Sequence, residues 1–127
     1  MRRAFLILPV AILALSACQS SVTVEPAEDA VDPACADVML RLPETVGGQE
    51  RRQTTSQATA AWGDPSGAIL RCGVTPPGPT TDPCVSVDGV DWVSQDEGEY
   101  WRFTAYGRDP DIEVLIDPTK ISGQTVI

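Results

Sequence analysis

The chain has no histidine and one lysine, Lys120, among its 127 residues, and only 6% of them are aromatic. Without histidine, a Ser-His-Asp or Cys-His catalytic site cannot be built. Cysteine is scarce too, four in all, and no Cys-x-x-Cys occurs. Beyond Cys18 there are three, Cys35, Cys72 and Cys84; three cysteines without histidine do not make the usual zinc spacing, and no imidazolium is present to lower a thiol pKa for redox work. A calcium loop is also missing: Asp109, Asp111 and Glu113 alternate with Pro110 and Ile112 but lack the glycine and spacing of an EF-hand. No cofactor is expected. The one sustained apolar run, Ala4 to Ala17, covers fourteen positions, or about 21 Å of helix against about 30 Å of bilayer hydrocarbon. It is too short to span a membrane.

What the chain does have begins with that run. Met1-Arg2-Arg3 gives it a basic start and small residues close it, the organisation of an export signal over residues 1–17. Leu15-Ser16-Ala17-Cys18 resembles the lipobox of bacterial lipoproteins. That resemblance implies cleavage before Cys18 and a diacylglycerol thioether on its sulfur. Two acyl chains matter, because one gives only marginal membrane binding at about 0.8 kcal/mol per buried methylene. Cys18 is therefore expected to be a lipid-attachment residue facing out of the cytoplasm, and the membrane a partner through that anchor.

Removal of residues 1–17 takes Arg2 and Arg3 with it, leaving seven basic against eighteen acidic residues, a net charge of −11. Such a surface is repelled by nucleic acid and by anionic lipid headgroups, so neither is expected as a partner. Residues 18–32 are polar, acidic and without periodicity, which predicts a disordered tether. One domain is expected over 33–119, followed by a short polar tail at 120–127. Arginine outnumbers lysine eight to one, a bias suggestive of a GC-rich genome.

Within the domain, Asp32-Pro33 marks a helix start. Cys35, Val38, Met39 and Leu42 then form the i, i+3, i+4, i+7 stripe of a buried face, and Pro43 ends it. Thr45 to Thr59 reads as a loop. Strands are expected over Ala68–Val74, on both sides of an Asp88-Gly89 turn, over Tyr100–Tyr106 and over Ile112–Ile116. The expected fold is α+β, one N-terminal helix packed on an antiparallel meander of about five strands. Trp92 and Trp101 read as core on that pattern. Tyr100, Arg102, Tyr106 and Arg108 fall on the wet side and form a candidate binding surface. Asp64, Asp91 and Glu113 are the carboxylates from which a hydrolytic pair could be drawn, and Glu113 with its acidic neighbours reads as a strand edge that resists pairing. Cys72–Cys84 would close a tight proline-stiffened loop, whereas Cys35–Cys72 would pin helix to sheet; both remain open on the residues alone.

The blocks "TAAWGDP" (59–65), "LRCGV" (70–74), "VDGVDW" (87–92) and "RFTAYGRDPDIEV" (102–114) resemble those of an actinobacterial lipoprotein family catalogued as domain of unknown function 3515. The resemblance implies an exported, anchored protein and brings no established activity. It also favours Cys35 and Cys72 as the bridged pair. The function expected is that of a non-catalytic accessory or binding module acting on an envelope protein or a cell-wall component, with a carboxylate-dependent cell-wall hydrolase as the alternative.

Overall fold

A computed structural model describes residues 19–123. The expected signal segment, Cys18 and residues 124–127 lie outside the described residues. The architecture is mostly β: one short helix and an eight-stranded antiparallel sheet. In chain order the elements are α1 (Ala34–Arg41), β1 (Thr45–Val46), β2 (Gln49–Arg52), β3 (Thr59–Trp62), β4 (Ala68–Val74), β5 (Cys84–Val87), β6 (Val90–Asp96), β7 (Trp101–Ala105) and β8 (Asp111–Ile116).

The helix forms where expected. The Asp32 carboxylate accepts from the Ala34 N–H at 2.8 Å, Cys35 is buried, and Val38, Met39 and Leu42 pack on the sheet. The five expected strands are β4 to β8, but three more precede them. β1 and β2 form a hairpin across Gly47-Gly48, both with positive φ (55° and 77°), which a two-residue turn between twisted strands requires. The polar Gln-Glu-Arg-Arg run of β2 hides the pair from any hydropathy pattern. β3, buried at all four positions, has no alternation to betray it.

The strand order is β1-β2-β3-β4-β8-β7-β6-β5. Two four-stranded meanders are thus joined along a β4–β8 seam, and β8 is central rather than an edge. After β4 the chain crosses to the far edge through 75–83. Four strand spacings are about 19 Å, and nine residues of extended proline-rich chain reach about 28 Å, so the loop is long enough. The expected hairpin holds its register, with Val87 opposite Val90 and Val85 opposite Trp92.

One sheet face carries the core. Trp62, Ala68, Leu70, Val114 and Ile116 pack there beneath α1, with Phe103 and Trp92 at its margin. Trp62 is 2% exposed, and its indole N–H donates to the Pro43 carbonyl at 3.1 Å, tying β3 to the helix exit. Cys35 and Cys72 form a disulfide that fastens α1 to β4 across a separation of 37 residues. In the chain-entropy account a loop of this size contributes about 3–4 kcal/mol.

Two boundaries differ from expectation. The segment expected as tether is packed from Val22: Val24 and Ala30 are buried, and Asp29 N–H donates to the Gly73 carbonyl at 2.9 Å. Gly73 makes this possible. It sits at a bulge between Cys72 and Val74 with φ of 98°, and a Cβ there would lie 2.4 Å from the Asp29 backbone. At the other end, Ile121 is buried in the main core, so the folded unit extends past Thr119.

Candidate functional site

The helix covers only part of the core face. Its first turn carries Cys35, bonded to Cys72 at one end of β4, and it exits at Pro43 beside Trp62, opposite Ala68 at the other end. It therefore runs along the strands, and its width of about 10–12 Å does not reach the outer hairpin. Where the cover ends, a groove of about 370 Å³ opens between Val85 on β5, Ser94 on β6, Trp101 and Phe103 on β7, Ile116 on β8 and the turn at Pro118. Its lining is largely apolar. Trp101 is 36% exposed and Val85 42%, and the Trp101 ring stacks on Phe103 with centroids 6.4 Å apart. Trp101 is therefore a groove wall and not core; alternation along β7 put it on the correct face, but beyond the reach of α1. Trp92, half-buried against the core, keeps its expected place.

The groove borders an open strand. β5 is the last strand of the sheet, and no described strand pairs with its outer side. The Ser94 N–H donates to the Pro83 carbonyl, so with the register Val85↔Trp92 and Val87↔Val90 the alternation of an antiparallel ladder leaves the backbone groups of Cys84 and Ser86 pointing outward. Cys84, exposed and unbridged, starts this strand.

The opposite face is organised around Glu113, 3% exposed. Its Oε1 accepts from Arg71 Nε at 2.5 Å and its Oε2 from Arg102 Nη1 at 2.7 Å. Arg102 also donates to Glu97 at 3.0 Å. Burial works against the Arg102 charge, yet the Glu113 and Glu97 carboxylates outweigh it and hold its pKa above the ordinary value. Glu113 is thus an interior ion-pair centre, because the β4–β8 seam turns the expected edge strand into a central one. Asp64 lies exposed beside Arg52, and Asp91 accepts from the Ser86 hydroxyl on β5. The three expected carboxylates sit on separate elements and share no cleft among the described residues.

The candidate surface residues divide into two places. Tyr100 and Arg102 meet, the phenol oxygen 3.5 Å from Arg102 Nη2, but Arg102 is committed to its carboxylates. Tyr106, just past the other end of β7, lies about 20 Å from Tyr100 and is exposed. Arg108 stands near Asp111, whose carboxyl is fully buried. Burial pushes the Asp111 pKa up to about 6 against the opposing effects of the Ile112 N–H and Arg108. Asp111 Oδ2 has no hydrogen-bond partner among the described residues, and no cluster of three metal-ligating side chains occurs among them.

No curated protein and no solved structure matches the chain. A family pattern does, over residues 4–126, and it spans the four blocks quoted above, the disulfide and the groove. On that match the chain belongs to the family described as "Protein of unknown function (DUF3515)".

Proposed function

We propose that this chain is an exported lipoprotein of an actinobacterial envelope, lipidated at Cys18, whose domain is a non-catalytic binding module. Its ligand is an extended apolar segment of an envelope protein, added alongside β5 with a side chain seated against Trp101. The observation that carries this reading is the coincidence of an open strand edge with an apolar groove at the same corner. Edge addition supplies backbone hydrogen bonds and the adjoining groove supplies selectivity. An exposed edge bordered by apolar surface is otherwise a liability that proteins suppress. The basic start, short apolar run and lipobox-like 15–18 support the address, and the arginine bias supports the source.

The test is in-cell crosslinking from a photoreactive group on Cys84, the one unbridged cysteine among the described residues. One recurrent envelope protein is expected, reduced at least tenfold by Trp101→Ala and by Ser86→Pro. The proline removes an outward N–H without touching the β5–β6 ladder. Equal capture by both variants and the native chain refutes the reading. Retention of the native protein on purified cell wall, lost with Trp101→Ala, would replace the peptide by a sugar stacked on the indole.

A further inference from the structure

The residues just after Cys18 are held by the domain. The Val22 N–H donates to the Gln53 carbonyl at 2.8 Å, and the Thr55 N–H donates to the Val22 carbonyl at 3.0 Å. Arg52, its side chain 9% exposed, reaches through this corner. Its Nη2 donates to the Ser20 carbonyl at 2.6 Å and its Nη1 to the Gly63 carbonyl at 3.0 Å. Chain held from Ser20 leaves two residues, Cys18 and Gln19, between that grip and a lipid on Cys18. Two residues span about 7 Å at full extension. A flexible tether over 18–32 would instead spread over about 22 Å.

Resting on the lipid anchor proposed above, we infer that the domain is docked by this corner onto the headgroup surface of the bilayer, and that the β5 edge and its groove stand clear of it. The corner suits a headgroup layer. Its side chains are polar and balanced in charge, Gln19, Gln49, Glu50, Arg51, Arg52 and Asp64 around a recess of about 270 Å³, as suits zwitterionic headgroups. Arg51 makes no ion pair among the described residues, and the large exposed apolar side chains lie elsewhere. β2 and β5 are six strand spacings apart in the sheet. With the sheet standing on this corner, about 4.8 Å for each spacing places the β5 edge about 20–30 Å from the membrane once twist is allowed for, and the groove reaches inward from there to β8. The ligand segment is then one that projects to that height, not one emerging at the lipid surface.

The experiment uses the full lipidated chain in phosphatidylcholine vesicles, with a donor fluorophore on Cys84 and acceptors on the headgroups. The native protein should give one narrow distance of about 20–30 Å. Ten Gly/Ser residues inserted between Cys18 and Gln19 should lengthen and broaden it, as should Arg52→Ala. Because the insertion leaves the described residues untouched, it carries the test even if Arg52→Ala fails to fold. Amide exchange at Val22 and Thr55 should be at least tenfold slower than in an open chain. Identical distance distributions for the native and lengthened chains overturn the inference. Recovery of Cys18→Ser with floated vesicles at the native level overturns the anchor itself, a separate outcome.

Discussion

The two meanders are built from similar strands but closed to very different degrees. β1 to β4 lie beneath or beside α1, are fastened by Cys35–Cys72 and by the Val22–Ala30 strap, and end in an edge strand two residues long. The outer hairpin, β5 with β6, has no helix above it, ends in an open four-residue edge, and leaves Val85 and Trp101 in solvent. Trp62 and Trp101 make the contrast concrete. Both sit on the same sheet face; one is sealed by the helix exit, while the other lies two strands to the side of β4, beyond the width of the helix. The lesson is that the placement of a single helix along β4, and not the sequence of the strands, decides which apolar side chains become core and which remain at the surface.

Substitutions that act unequally on the two halves can break this comparison. Trp62→Ala should be the most damaging, costing about 3–5 kcal/mol in urea unfolding through cavity formation. Replacing Cys35 and Cys72 together by alanine should cost about 3–4 kcal/mol, with Cys84→Ser leaving the midpoint unmoved. Glu113→Ala tests the seam that joins the halves. It leaves Arg71 without its carboxylate and Arg102 with Glu97 alone, and should cost about 3 kcal/mol.

Asp111 sharpens the comparison through pH. Its folded pKa, about 6, lies above the ordinary 3.8, so the folded protein holds the proton more tightly. The associated stability is complete below about pH 3.8 and is lost as pH rises through about 6. Asp111→Asn should flatten that decline and exceed the native stability above pH 6 by about 1–3 kcal/mol, read from unfolding midpoints across pH 4–8. Smallest of all, Trp101→Ala should change stability by less than about 1 kcal/mol. A loss as large as that of Trp62→Ala would show that the groove is core after all.

What the sequence displays, and what it conceals, follows from the range over which each signal acts. The stripe Cys35, Val38, Met39, Leu42 and the register across Asp88-Gly89 depend on neighbours within a turn, and both are as expected. β1 and β2 escape detection because a polar run can be strand when its hydrogen bonds are satisfied from both sides. The burial of Glu113 depends on β8 pairing with β4, some forty residues earlier, and nothing local to Asp111–Ile116 reports it. The same non-local pairing places β5 at the rim and so creates the groove. The strap depends on one missing Cβ at Gly73, a cue that periodicity does not carry.

The crossover at 75–83 has a consequence for assembly. It separates the chain into two blocks whose internal pairings are all between sequence neighbours, and each block can form its own ladders early. Until β8 arrives, however, β4 is itself an uncovered edge in mid-sheet. A chain threaded outward from its N-terminus would present that edge for as long as the second block takes to emerge, and Cys72, on that very strand, would be accessible for pairing with Cys35 during the same interval.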